Sequence, residues 1–315
     1  PAKDVYLMTK LKLLFPLAAG LISLAAWPAY AHGFGERTEL AIPLGFFMIG
    51  AAIVVAASFV ILSLFLRSSA THSYWRFDVL RVGVLGAVLK SEPFLFPIKL
   101  VSVFLLGLVV ATGLVGDQSP TLNFAPTFVW IIWWVGMAYV SALVGNLWNL
   151  VNPWKITFEW VERLVGSPSR GAGIFRYPER WDSWPALVLF FVFSWLENVY
   201  SGAAQPFKLG LLILLYSVVT WGGMLAFGKH QWLRHGEAFS VLFGFFARFS
   251  PTEVAVTDVH LCRTCDQEEC DSSGEGCVNC YECFQRAGAE QREFNLRPFA
   301  VGLAVLEGEG EFTAS

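Results

Sequence analysis

Five long apolar segments, separated by shorter polar stretches, dominate the pattern of hydrophobic and polar residues along the chain. They cover residues 41–66, 98–116, 124–148, 185–200 and 207–228. An α-helix rises about 1.5 Å per residue, so most of these segments are long enough to cross about 30 Å of hydrocarbon. The shortest, 185–200, reaches that length only with its flanking residues. The pattern predicts an all-α membrane protein, a polytopic bundle of about five transmembrane helices.

A further apolar run precedes these segments and has the layout of a secretory signal peptide. Lys10 and Lys12 come before the run, and Ala29 and Ala31 form a small-residue cleavage site after it. We therefore expect a signal peptide over residues 8–31, the helix bundle over 32–250, a Cys-rich module over 251–290 and a tail over 291–315. The alternative is an uncleaved signal anchor. Both predict that the segment after residue 31 lies outside the cytoplasm.

The loops between the apolar segments differ in charge, and this difference predicts the orientation. The loops 116–123 and 197–205 contain neither Lys nor Arg. The basic residues lie in the other three polar segments: Arg67, Arg76, Arg81 and Lys90; Lys155, Arg163, Arg170, Arg176 and Arg180; Lys229, Arg234 and Arg248. Because positively charged loops stay in the cytoplasm, residues 67–97, 149–184 and all those after 228 are predicted to lie inside the cell.

Composition also indicates a membrane protein, and the net charge bears on which partners are expected. The chain is 55% hydrophobic and 15% charged, whereas soluble proteins carry about 25% charged residues. The net charge of −3 predicts no nucleic-acid partner. Two segments on the cytoplasmic side, 153–166 and 236–249, are predicted to be interfacial helices. The first is amphipathic, and the second is too short to span and would lie at the interface or pack under the bundle.

All six cysteines lie in one stretch, HLCRTCDQEECDSSGEGCVNCYEC, as Cys262, Cys265, Cys270, Cys277, Cys280 and Cys283. Two C-x2-C pairs separated by a loop are a common way to place four thiolates around Zn²⁺. A cytoplasmic location disfavours disulfides, and so short and polar a stretch requires a metal to fold. The spacing predicts a metal-binding module.

The identity of the metal stays open at this point. A fully thiolate-ligated zinc site is closed and structural, and His260 is a further candidate ligand. The run from Cys277 through Cys280 to Cys283 resembles part of a ferredoxin iron–sulfur motif, but position 287, where the fourth cysteine would stand, is Ala. Zinc is the leading prediction, with an iron–sulfur cluster, a disulfide or uncoordinated thiols as the alternatives.

The residues that could carry out catalysis form a less specific pattern than the cysteines do. His230, His235 and Glu237, with His72 in another basic loop, could hold a Zn²⁺ with an open position for water. The alternative is that they are ordinary polar residues of the cytoplasmic face. Three asparagines, Asn146, Asn149 and Asn152, recur every three residues near the end of the third segment. They are predicted to form hydrogen bonds between helices.

Several longer stretches resemble one family. AHGFGERTELAIPL, NLWNLVNPWKITFEWVERL, WLRHGEAFSVLFGFFARFSP and GCVNCYECFQRAG are similar to the bacterial membrane proteins of the fenitrothion hydrolase family. The resemblance covers about residues 32–302. It implies a bacterial inner-membrane protein that hydrolyses an organophosphate aryl ester, a lipophilic substrate reached from the bilayer.

Three other functions remain as alternatives. A transporter component would use Glu197 and the asparagines along its pathway. A redox protein would carry an iron–sulfur cluster. An assembly subunit would dock a second membrane subunit through the Cys-rich module.

Overall fold

The computed structural model describes residues 44–65, 74–166, 173–263 and 277–304, and the chain is mostly helical. The predicted signal peptide, the end of the tail, His72, Cys265 and Cys270 lie outside these residues. The helices are α1 (Leu44–Phe65), α2 (Gly83–Lys90), α3 (Glu92–Val115), α4 (Phe124–Leu143), α5 (Leu147–Val151), α6 (Pro153–Val165), α7 (Trp184–Asn198), α8 (Pro206–Phe227), α9 (Lys229–Gln231), α10 (Ala238–Phe246), α11 (Val259–Arg263), α12 (Tyr281–Arg286) and α13 (Val301–Ala304). A π-helical turn, Trp232–Gly236, follows α9.

Within the ranges just given, three helical segments are long and apolar enough to cross a membrane: Pro93–Val115, Phe124–Leu143 and Pro206–Phe227. They coincide with three of the five predicted spans. Helix α1 is also apolar, but the apolar stretch described within it, Ile49–Val60, is shorter than a membrane span. Helix α7 has 15 residues, which corresponds to about 22 Å. A span count of five therefore stays a prediction.

Small residues bring α3 and α8 close together. A Cβ atom on Gly113 would lie 2.9 Å from the carbonyl oxygen of Pro206 and 3.3 Å from the Cα of Gly210. The two backbones can approach this closely because neither glycine has a side chain, which is a common way for helices to pack in a membrane. Any larger residue at position 113 would force the helices apart.

The third apolar segment ends earlier than predicted. Helix α4 stops at Leu143, and Gly145 has a φ of +155°. A Cβ there would come within 2.1 Å of the Oγ1 of Thr252. Glycine is the residue that allows both the conformation and the contact. The chain therefore turns into the short helix α5, and Thr252 Oγ1 donates a hydrogen bond to the Val144 carbonyl at 2.6 Å.

The two helices predicted at the interface are packed into the protein. In α6, the residues Pro153, Trp154, Lys155 and Ile156 are buried. The polar stripe of α6 faces Lys229, whose Nζ lies 3.3 Å from a Glu159 oxygen and 3.4 Å from a Glu162 oxygen. Helix α10 buries Phe239 and Phe243 in an aromatic core with residues of α4 and α8. Both helices therefore contact the bundle, although Leu164 and Val165 at the end of α6 stay exposed, and their position at a membrane interface stays a prediction.

The all-α prediction is wrong for the C-terminal part of the chain. Four strands, β1 (Phe77–Asp78), β2 (Thr252–Val256), β3 (Cys277–Val278) and β4 (Arg292–Leu296), form an antiparallel sheet in the order β1-β4-β2-β3. Strand β4 pairs with β1 from the loop before α2, so that Phe77 stands opposite Leu296. The sheet fastens the C-terminal module to the bundle.

Candidate metal centre

Four of the six cysteines meet in the core of the C-terminal module. Cys262 comes from α11, Cys277 from β3, Cys283 from α12, and Cys280 stands immediately before α12. Their exposed fractions are 4%, 1%, 1% and 7% in that order. Val256 and Ala287 complete the buried cluster, with Leu261 and Phe284 packed against it. Four of the six residues in this cluster are therefore cysteines.

The strand pairing and one turn position these sulfurs. The register between β2 and β3 sets Val256 opposite Cys277. Between Cys277 and Cys280 the chain turns at Asn279, which has a φ of +56° and whose backbone N–H donates to the Val254 carbonyl at 2.8 Å. Asparagine tolerates this left-handed conformation better than most residues. The turn brings Cys280 and then Cys283 back toward β2.

Three of the sulfurs lie close enough together that they could hold a metal ion. The sulfur atoms of Cys262, Cys277 and Cys283 all lie within 4.8 Å of one another. Four thiolates about 2.3 Å from a tetrahedral Zn²⁺ are separated from one another by about 3.8 Å. The donor set is buried and made of thiols, which suits zinc or an iron–sulfur cluster. Among the described residues, no other group of three His, Cys, Asp or Glu side chains has this proximity.

The same cluster accommodates a disulfide. Cys262 and Cys277 lie at disulfide distance, with their Cα atoms 5.9 Å apart. For this pair the disulfide and the metal site are alternatives, because two sulfurs bonded to each other would have to separate before both could bind one metal ion. Cys265 and Cys270 belong to the segment 264–276, outside the described residues.

The two described histidines considered for a hydrolytic zinc site contact different residues. His230 Nδ1 lies 4.0 Å from Glu282 Oε2, whereas His235 Nδ1 lies 3.6 Å from Asp182 Oδ1. The His235 ring stacks on Tyr177, with ring centroids 5.5 Å apart. The structure does not bring His230, His235 and Glu237 together as three ligands, and His72 lies outside the described residues.

Glu237 has a structural role. It is fully buried, and its carboxylate caps the start of α10, accepting hydrogen bonds from the backbone N–H groups of Phe239 at 3.0 Å and Ser240 at 2.7 Å. The hydroxyl of Tyr216 donates to the same carboxylate. A negative charge at the start of a helix is favourable, but glutamate is not one of the residues preferred as N-caps, so the sequence contained only a weak signal for this role.

Two of the three asparagines cap helices, a role that was not predicted, and some of them also form the predicted bonds between helices. Asn146 caps α5 by accepting from the Asn149 N–H at 3.2 Å. Asn152 caps α6 by accepting from Trp154 N–H at 3.0 Å, and its amide donates to Ser240 Oγ at 3.3 Å. The prediction of hydrogen bonds between helices is confirmed for Asn152, and for Asn149, which accepts a hydrogen bond from Lys155 of α6.

Two titratable groups beside the module have displaced pKa values. Burial lowers the pKa of Lys155 to about 8, although the carboxylate of Glu159 acts in the opposite direction. The Nζ of Lys155 donates to the Asn149 carbonyl at 2.9 Å. Burial, together with the positive charges of Lys229 and Lys155, lowers the pKa of His230 to about 3. His230 is therefore neutral at physiological pH, and its approach to Glu282 is not an ion pair.

Sequence reasoning missed a buried charge centre in the sheet. The carboxylate of Glu253, on β2, accepts from Arg297 Nη1 at 3.0 Å and from the Tyr74 hydroxyl at 2.6 Å, and it pairs with Arg76 Nε at 2.8 Å. The side chains of Glu253 and Arg297 are 0% and 1% exposed. A single carboxylate inside the otherwise apolar strand TEVAV was the available signal.

Fold and site together define a mostly helical protein with three helices that could span a membrane and a buried cysteine cluster that could hold a metal. Comparison with known proteins does not narrow this class. No protein-family model, no curated protein and no solved structure matches the chain.

Proposed function

We propose that the protein is an integral protein of the bacterial inner membrane that carries a structural zinc site in its C-terminal module. The observation behind this proposal is the set of three buried sulfurs, from Cys262, Cys277 and Cys283, within 4.8 Å of one another. A buried site with thiolate ligands is closed to substrate, so the metal would supply folding free energy rather than an activated water.

One observation favours zinc over an iron–sulfur cluster. Ala287, at the position where the ferredoxin pattern needs a cysteine, lies within the buried sulfur cluster and offers only a methyl group. Cys280 stands in the same cluster and is a candidate fourth ligand for either group, as are Cys265 and Cys270. Zinc requires four ligands and has no redox chemistry of its own, so the module would be a stabilising element.

The contacts of the loops support the proposed orientation. Gln118 Oε1 accepts from Phe207 N–H at 3.0 Å, and Trp130 Nε1 donates to the Ala203 carbonyl at 3.2 Å, so the two loops that lack Lys and Arg meet the same part of the bundle. Two of the three basic segments instead contact the C-terminal module, through Arg76 and His230. This separation of charge supports a cytoplasmic module and an external N-terminus.

Metal analysis of the purified full chain, with a visible absorption spectrum, tests the zinc proposal. We expect colourless protein with about one or two zinc ions per chain, and loss of that zinc in the variant Cys283→Ser. His235→Ala is the matched control and should keep its metal. Brown protein that contains iron and sulfide would overturn the zinc assignment in favour of electron transfer. Metal-free protein whose module loosens only under a reducing agent would overturn it in favour of the disulfide.

Hydrolysis of an organophosphate aryl ester, implied by the family resemblance, stays a prediction. Its test is the release of nitrophenol from an aryl phosphotriester by the protein in lipid vesicles. Turnover that survives Cys283→Ser but not His230→Ala would locate the chemistry in the bundle.

Without turnover, two alternative functions can be told apart. Substrate flux that depends on Glu197 would favour a transporter component, and copurification of a second membrane chain would favour an assembly subunit.

A further inference from the structure

Helix α12 contacts the sulfur cluster with one set of side chains and the bundle with another. Cys280 stands at its N-terminal end and Cys283 lies within its first turn, and both are buried in the cluster. Tyr281 and Glu282 lie between these two cysteines in the sequence. The residues that could hold a metal are thus interleaved with residues that touch the helix bundle.

The bundle contacts of α12 are made to two different helix ends. The side chain of Asn146 lies beside the Tyr281 hydroxyl, and Asn146 is the N-cap of α5. Glu282 Oε2 lies 4.0 Å from His230 Nδ1, in α9, and its other oxygen pairs with Arg286 of α12 itself. Through these residues α12 lies near α5, which follows α4, and near α9, which follows α8.

The other half of the module is attached without the cysteines. Thr252 Oγ1 donates to the Val144 carbonyl at 2.6 Å, and Arg297 Nε donates to the Ser250 carbonyl at 3.2 Å. The ion pair between Glu253 and Arg297 holds β2 against the chain that follows β4. These contacts depend only on protein groups, so this half should stay in place whether or not a metal is bound.

We propose that metal binding at the cysteine cluster docks α12 onto the bundle, so that the occupancy of the site is transmitted to α5 and α9 through Tyr281 and Glu282. A helix of six residues is too short to be stable alone in water, and without a metal its packing rests on a few side chains. Ligation of Cys280 and Cys283 fixes both ends of the segment that carries the two contact residues. This inference rests on the proposed metal site and adds a communication route to it.

Hydrogen exchange of the full chain in detergent, followed by mass spectrometry, tests the route. The zinc-loaded protein is compared with protein stripped by a chelator and with stripped protein given Zn²⁺ alone, and the metal content of each sample is measured. We expect peptides covering 281–286, 146–151 and 229–236 to exchange at least about tenfold faster after stripping and to recover with zinc. Peptides covering 116–123 and 199–205, at the other loops, serve as the internal control and should not change.

A substitution separates docking from metal binding. Tyr281→Phe removes the hydroxyl that meets Asn146 but none of the cysteines, so it should retain zinc while peptide 146–151 exchanges faster. Gln285→Ala, at an exposed position of the same helix, is the matched control and should behave as the unmodified chain. If purified protein contains no metal, the proposed function fails and the inference with it. If zinc is present but stripping loosens only 277–287, the metal site stands and the docking inference is overturned.

Discussion

The helix bundle and the C-terminal module bury their cores in different ways. In the bundle, large aromatic rings pack against one another: Trp133 lies 4.6 Å from Phe239 and 6.0 Å from Phe243, between ring centroids. In the module, the buried cluster holds four cysteines, one valine and one alanine. A buried aromatic side chain contributes more apolar area than a cysteine, about 150–250 Å² for each ring.

This difference shows where each region obtains its stability. The bundle has enough apolar surface, and enough capped helix ends, to hold its shape with protein groups alone. The module has a buried ion pair at one side and a set of thiols at the other, and small cores of this kind usually need a metal or a disulfide. We therefore expect treatments that remove the metal to affect the module first and the bundle only through their contacts.

The largest expected effect is that of Cys283→Ser, or of a strong chelator on the unmodified chain. Structural zinc contributes an apparent binding free energy of about 10–16 kcal/mol in zinc-finger peptides, and its loss should unfold the segment around α11 and α12. Limited proteolysis should then cleave within 259–290 and leave the bundle as a stable fragment. Equal cleavage of bundle and module would contradict the expectation that only the module depends on the metal. Full resistance of the stripped protein would contradict it as well.

A smaller but still large effect is expected from Glu253→Gln. The change leaves Arg297 buried without its charged partner, which typically costs about 3–5 kcal/mol. Glu293→Gln is the matched control on the neighbouring strand. It pairs with Arg81, whose side chain is 73% exposed, so its loss should cost about 0–1 kcal/mol. Thermal unfolding of the two variants, with metal content recorded, compares them. Equal losses would mean that the buried pair is not what holds the sheet.

The helices were more predictable than the sheet because their signals are local. Long apolar runs led to α3, α4 and α8 within a few residues at most ends. The continuation of the third segment to residue 148 was wrong because Gly145 turns the chain for a partner, Thr252, that is more than a hundred positions away. Strand β1 has only two residues, and it pairs with β4 from the far end of the chain. No local pattern in either strand indicates that pairing.

The residues of the candidate sites were also predictable only where their signal is local in the sequence. Cysteine spacing predicted a cluster, and the four described cysteines do meet. His230, His235 and Glu237 are close in sequence, yet a π-helical turn and the start of α10 separate their side chains. Glu253 and Arg297 were missed because a charge pair between distant segments becomes visible only when the sheet has formed.

At the end of the bundle, Lys155 should make stability depend on pH. Burial lowers its pKa from 10.5 to about 8, so between these values the unfolded chain binds more protons than the folded chain. Stability should therefore rise with pH through this window, by up to about 3 kcal/mol, and the penalty should be fully present below pH 8. Thermal unfolding of the unmodified chain and of Lys155→Met over this range measures the difference. Parallel pH profiles for the two proteins would show that Lys155 is not the group responsible.

The smallest expected effect concerns two serines inside the bundle, and it tests whether hydrogen bonds add to the aromatic packing. Trp154 Nε1 donates to Ser217 Oγ at 2.7 Å, whereas the buried hydroxyl of Ser141 has no partner among the residues that the structure describes. Ser217→Ala leaves the indole N–H unpaired and should cost about 1 kcal/mol. Ser141→Ala removes a polar group that was already unpaired, so it should be neutral or slightly stabilising. The thermal midpoints of the two variants in the same detergent give the comparison. If both substitutions cost the same, the ring packing alone accounts for this part of the bundle, and the contrast with the module becomes sharper.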